Sequence, residues 1–192
     1  MSQQKEWSEH PFNQQTFESD ELQDQRFENC HFLGCTFTKT AMQKSRFLEC
    51  TFNECFLSNV LLNESVFTDV QFISSKLVGV DFSVCAQTLF KIQFRQCLLH
   101  YVNFQGMNLK KLPFGGSEIK SCDFYTANLE GADFSGCDLQ DSIFEETNVS
   151  SADFRKAKNY DIAPAINKIK GAHFSMPEVL GLLKPLGIKV EL

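Results

Sequence analysis

The sequence predicts an all-β solenoid, on the strength of a period, a partner row and a polar remainder. From Phe12 a large apolar residue returns every fifth position as far as Phe82, and a second run goes from Leu89 to Phe154. The two runs make 29 positions and hold 17 of the 20 phenylalanines, so the period organises the core. A helix repeats at 3.6 residues and a flat strand at 2, and neither asks for a residue every five. Two positions before the large residue usually stands a small or β-branched one, such as Cys30, Cys35, Ser45, Val60, Ser75, Ala127 or Ala152. The three remaining positions are mostly polar. A unit with two inward and three outward residues forms one side of a coil, and coils must stack to bury the inner row.

The units Ala127-Asn128-Leu129-Glu130-Gly131, Ala132-Asp133-Phe134-Ser135-Gly136 and Cys137-Asp138-Leu139-Gln140-Asp141 follow one another without a gap. They resemble the pentapeptide-repeat family, whose unit is a small residue, Asp or Asn, Leu or Phe, and two variable residues. The resemblance covers about three quarters of the chain. It implies a right-handed quadrilateral parallel β-helix with four units per coil. The sequence tests the four sides by itself, because four units make a vertical repeat of 20 residues. Phe12, Phe32, Phe52 and Phe72, then Phe94, Phe114, Phe134 and Phe154, fall in one column, all phenylalanine. A second column runs Phe17, Phe37, Leu57, Leu77, Leu99, Ile119, Leu139. Stacked rings in successive coils favour this segregation. About seven coils at strand spacing give a rod of roughly 35 Å.

The expected organisation is a polar N-terminal segment at 1–11, repeats at 12–157, and a C-terminal cap at 158–192. The ladder breaks between Phe82 and Leu89, where Ser83–Thr88 carry two residues beyond the period. A bulge at a corner is the plain reading, and a small projecting loop is the functional one. Phe56 and Phe90 fall on outward positions and are candidate exposed aromatics for a partner. After Phe154, the apolar set Ile162, Ile166, Ile169, Ala172 and Phe174 is placed to cover the last coil. Ser175-Met176-Pro177-Glu178 reads as the start of an α-helix, with Ser175 as N-cap and Pro in the first turn. Pro185 and Gly187 end it, and 188–192 alternate like a short strand. Leu180, Leu183, Leu186, Ile188, Val190 and Leu192 exceed what the end of one thin rod needs, which points to a dimer interface. The tail from Ile162 to Ile188 also resembles the C-terminal segment of the Qnr quinolone-resistance proteins and a microcin-immunity relative, where it joins two rods end to end.

Composition narrows the function classes. The 192 residues suit one elongated domain with a cap. No leader pattern precedes the repeats and no apolar stretch reaches spanning length, so the expected location is cytoplasmic, with no membrane contact. Seven of the eight cysteines are inward small positions, Cys85 keeps the earlier register, and no C-x-x-C pair exists. They read as small buried hydrophobes with no metal or cofactor role. In-register stacking of Cys30 over Cys50 and Cys35 over Cys55 also suits a disulfide poorly. The four histidines share no column with a nucleophile, and a Phe-filled interior leaves no pocket, so no catalytic residue is assigned.

Charge is uneven. The chain has 24 acidic and 18 basic residues, net −6, and from Ser117 to Phe154 nine acids face Lys120 alone. Asp or Asn before the large residue belongs to the repeat, since a short carbonyl bonds the turning backbone. That covers Asp123, Asp133, Asp138 and Asp153 but not Glu118, Glu130, Asp141, Glu145 and Glu146. The candidate acidic partner surface is therefore Glu118, Glu130, Asp133, Asp138, Asp141, Glu145, Glu146 and Asp153, either solvated or covered by a basic partner. The family resemblance, closest to the Qnr-like and microcin-immunity-like group, implies a non-enzymatic DNA mimic. Such a mimic binds DNA gyrase or a related type II topoisomerase, touches no nucleic acid directly, and protects the enzyme from quinolones or toxins. The Qnr group carries longer projecting loops than the two-residue insertion here. The competing expectation is a protein–protein interaction module without a topoisomerase partner, since fold alone gives no function.

Overall fold

The computed structural model describes residues 5–188. It is a four-sided parallel β-solenoid, each side taking its name here from an inward residue. The Phe12 face stacks strands Pro11–Asn13, His31–Leu33, Thr51–Asn53, Val70–Ile73 and Ile92–Arg95. The Phe17 face runs from Thr16–Phe17 to Glu118–Lys120, and the Phe27 face from Glu6–Ser8 to Val66–Thr68. The Leu22 face is held by single bridges such as Asp81–Asn103, Asn103–Asp123 and Asp123–Ile143. Pairing is parallel and in register throughout the strands, for example Phe12 with Phe32 and Phe32 with Phe52.

The Phe12 column is longer than expected. Its rings stack from Phe12 through Phe154 to Phe174, with centroids 4.6 Å apart at Phe32–Phe52 and at most 5.7 Å at Phe94–Phe114. Nine rungs make eight turns where about seven were expected, because Phe174 stands 20 residues beyond Phe154 and pairs in register with it. At the other end Trp7 pairs with Phe27, so regular structure begins at Glu6 rather than at Phe12. Pairing thus extends past both ends of the 12–157 span.

The inner row of small residues has a second task. Thr40, Ser65, Ser75, Ser142 and Thr147 donate their hydroxyls to the carbonyls of Phe17, Met42, Phe52, Ile119 and Phe124, one coil back, at 2.6–3.1 Å. The thiols of Cys35, Cys55, Cys122 and Cys137 point the same way, at 3.1–3.3 Å from the carbonyls of Phe12, Phe32, Leu99 and Phe114. Just after each large residue the chain turns a corner, and a small donor in the next coil bonds the large residue's buried carbonyl. All eight cysteines are buried and unpaired. Burial pushes the thiols of Cys50, Cys55, Cys122 and Cys137 up to about 12, so they stay protonated as donors.

Two breaks interrupt the ladder. Cys85 and Ala86 still hold their register, with the Ala86 amide on the Ser65 carbonyl at 2.9 Å, so the two extra residues lie between Ala86 and Lys91. There Leu89, expected on the inner row, adopts φ +60° and is 75% exposed. Phe90, expected outward, turns onto the core instead, its ring 6.3 Å from Phe67 and 6.1 Å from Phe82. The left-handed residue rotates the next side chain inward, and the larger ring occupies the rung. The same substitution recurs at Asn159, φ +59°, and buried Tyr160. There the following step from Phe144 to its bridge partner Ile162 spans 18 residues instead of 20.

The C-terminal cap differs in kind from the expected α-helix. Glu178–Leu186 is a nine-residue 3-10 helix without a side-chain N-cap. Ser175 instead accepts the Lys156 amide at 2.7 Å, in the preceding coil. Pro185 supplies no amide for an α-helical bond, and a short segment between two prolines settles for i to i+3 bonds such as Leu180 to Pro177. Leu182 is buried and Val179 packs against the core.

Candidate interaction surface

The corner chemistry decides which acids are free. Where Asp or Asn precedes the large residue, its Oδ1 accepts the amide two residues on, as in Asp123 to Tyr125 (2.8 Å), Asp133 to Ser135 (2.8 Å) and Asp153 to Arg155 (2.9 Å). These carboxylates hold turns, as the repeat reading anticipates.

The eight candidate acids do not form one surface. Glu118 and Asp138 bridge each other on the Phe17 face, but basic groups lie between them. Glu118 pairs with His100 at 2.7 Å and with Lys120 at 3.2 Å, and Lys120 lies 3.8 Å from Asp138. His100 and then Lys120 lower the Glu118 carboxyl below its ordinary range. Glu130 lies on the Phe27 face, paired with Lys110 at 2.9 Å and likewise lowered by it. Asp133 and Asp153 are neighbours on the Phe12 face, where Arg155 grips Asp153 through both Nε and Nη2 and lowers it. The hydrogen bond to Asp153 and its charge, with a smaller contribution from Asp133, in turn raise the Arg155 guanidinium. Glu118, Asp138, Glu130 and Asp153 are thus locally compensated by ion pairs, whereas Asp133, among the described residues, is held only by the Ser135 amide.

Asp141, Glu145 and Glu146 are different. All three are exposed and none forms an ion pair among the described residues. Glu145 is on the Leu22 face, and Asp141 and Glu146 stand at the corners on either side, with φ +58° and +52°. Asp123 and exposed Asp161, both also on the Leu22 face, add to the same strip. Sequence reasoning passed over Asp161 because it lies after the last expected repeat. The one signal is the Asp-before-large pattern at Asp161-Ile162, since the count in fives runs on to Asn159 and Pro164 and misses it. The strip borders a groove of about 560 Å³ beside the cap, lined by Asp141, Ile143, Glu145, Asp161, Ile166 and Lys184.

Of the aromatics, Phe56 is outward and half-buried, with the Lys76 ammonium 5.9 Å from its ring centroid. Phe90 is on the core, as described. The exposed apolar corners are instead Leu89 and Tyr101, the latter 67% exposed. Of the expected dimer residues, Leu180 and Leu183 are half-buried and Leu186 and Ile188 are exposed. Val190 and Leu192 lie outside the described residues. Among the described residues no set of three His, Cys, Asp or Glu could hold a metal ion, and no helix is long and apolar enough to cross a membrane.

Comparison with known proteins places this geometry. A model of a pentapeptide repeat region matches residues 45–124, and a model of pentapeptide repeats in eight copies matches residues 122–158. A trypsin-treated variant of QnrB1, described as a plasmid-mediated fluoroquinolone resistance protein, is similar over 97% of this chain and 100% of its own. The TM-score is 0.65 and the identity 17%, a likeness of fold. HetL, a pentapeptide repeat protein involved in heterocyst differentiation regulation from the cyanobacterium Nostoc sp. strain PCC 7120, is 14% identical. It covers 88% of this chain and 85% of its own, with a TM-score of 0.37. No curated protein matches by sequence.

Proposed function

This chain belongs to the pentapeptide-repeat family, and on that premise we propose that it is a non-enzymatic DNA mimic that engages DNA gyrase or a related type II topoisomerase. The observation that carries the reading is the uncompensated cluster of Asp141, Glu145, Glu146 and Asp161 on two adjacent coils near the C-terminal end of a rod about 40 Å long. A thin rod with free carboxylates on one side offers a basic DNA channel the shape and charge that phosphates offer. The fold likeness to QnrB1 supports the same direction and adds protection from a quinolone or toxin as the expected outcome.

In this reading two rods meet through their C-terminal ends, with Leu180, Leu183, Leu186 and Ile188 in the contact. That arrangement sets the acidic strips on both sides of the dimer centre. Buried unpaired thiols suit a reducing compartment, and the proposed location is the cytoplasm. The test is a gyrase supercoiling assay titrated with this protein, with and without a fluoroquinolone. Restored supercoiling under drug supports protection, and inhibition without drug supports mimicry alone. No effect in either arm at micromolar protein removes gyrase as the partner.

A second reading, an interaction module with no topoisomerase partner, is favoured by Leu89 and Tyr101. All but these two of the non-glycine corner residues with positive φ are polar, so an exposed leucine and tyrosine there suit docking by apolar contact. Leu89→Asn would abolish partner binding in that case and leave it unchanged for a DNA mimic.

A further inference from the structure

We propose that the groove between the last coil and the cap helix is a docking site for an arginine or lysine side chain from a basic segment of a protein partner. The inference goes beyond the DNA-mimic reading, because it concerns one side chain in one groove and holds for any basic partner.

The groove lies where one bridge is offset within the last coil: Phe144 pairs with Ile162 across 18 residues, while Asp138–Lys158 and Asn148–Lys168 on either side keep 20. The offset bridge sets Asp161 beside Ile143 and leaves the Leu22 face indented under the helix. Its lining combines two chemistries. Asp141, Glu145 and Asp161 are carboxylates with no ion pair, against a single base, Lys184. Ile143 and Ile166 are 44% and 51% exposed in the same groove, on a rod whose other outward positions are mostly polar.

A metal ion does not suit this arrangement, because no three of these carboxylates converge. Nucleic acid is repelled by it. A long basic side chain answers both halves of the lining: its methylene stem lies on the isoleucines and its charged head reaches the carboxylates. Lys184, at the helix end, counts against the site in charge and sets its boundary.

The experiment is an NMR titration of the full chain, with labelled amides and isoleucine methyls, using a short acetylated peptide of alternating arginine and alanine. The expected result is saturable shifts of the Ile143 and Ile166 methyls and of the Glu145 and Asp161 amides. Asp161→Asn with Glu145→Gln should weaken the peptide about tenfold, as loss of charged hydrogen bonds does, and Lys184→Gln should strengthen it. All three positions are solvent-facing, and the opposite directions of the two variants separate docking from a folding defect. Equal affinity in all variants would overturn the proposal. So would shifts spread over Asp133 and Asp153, or the same methyl response to magnesium alone.

Discussion

Before the break at Ala86–Lys91, the position preceding the large residue holds Arg26, His31, Arg46, Thr51, Phe56 or Gln71, and the sides run as short strands. After it, the same position holds Asn103, Asn108, Asp123, Asn128, Asp133 or Asn148, and most sides contract to single bridges. Corners change with it. In the later coils the small residue's amide bonds back to the large residue three before it, as Ala127 to Phe124 and Ala132 to Leu129. In the earlier coils such bonds are confined to the Leu22 side, as Ser45 to Met42 and Ser65 to Leu62. The aromatic rows also exchange sides: Phe27 and Phe47 pack edge-on against the Phe12 column from the neighbouring face first, and Phe82, Phe104, Phe124 and Phe144 pack against it from the opposite face afterwards. The inner row therefore sets the rod, while the outer row chooses between strand and tight turn. A consequence for function is that many acids of the later coils are turn formers, so a charge count overstates the negative surface on offer.

The largest expected effect should be indifferent to the break. Phe52→Ala and Phe114→Ala each remove a fully buried ring from the continuous column and should cost about 3–5 kcal/mol in denaturant unfolding. A much smaller loss in one half would mean that the two halves do not share one core. Thr40→Val and Thr147→Val come next, one on each side of the break. Each removes a hydroxyl donor from a buried carbonyl, the Phe124 carbonyl keeping the Ala127 amide, and should cost about 1 kcal/mol.

Asp123→Ala against Gln71→Ala separates the halves directly. The first loses the bond to the Tyr125 amide and should cost about 1 kcal/mol, whereas the second should stay within about 0.5 kcal/mol. Equal losses would refute the corner argument. The smallest effect is electrostatic. The Glu118 carboxyl is lowered in the folded state, so its contribution is present above the unfolded carboxylate range and lost as pH falls through the lowered value. Glu118→Gln should flatten that acid limb of the melting-temperature profile slightly, since the group is solvent-screened.

The period of five, the four sides and the identity of the Phe12 column were legible because stacking demands the same residue type every coil. The extra coil was not, because Tyr160 and Ile162 break the count before Phe174 resumes it. Leu89 and Phe90 exchanged roles because a left-handed corner is a backbone choice that hydrophobicity alone does not encode. The helix was expected from Pro177 and Pro185 as punctuation, but those prolines also kept it from becoming α-helical. Of the acidic surface, the vertical neighbours Glu118–Asp138 and Asp133–Asp153 were readable from the 20-residue repeat. Their neutralisation by Lys120, His100 and Arg155 depends on side-chain reach across a face, which spacing does not report.

The most direct measurement is competition between this protein and a short DNA duplex for gyrase, comparing two triple variants. The account predicts that the native protein displaces the duplex and that Asp141, Glu145 and Glu146 all changed to lysine abolish displacement. Changing the compensated Glu118, Glu130 and Asp153 to lysine should leave most of it. Equal loss in the two variants, or a native protein that leaves the duplex bound, would contradict the claim that the uncompensated strip on the Leu22 face is what a DNA channel recognises.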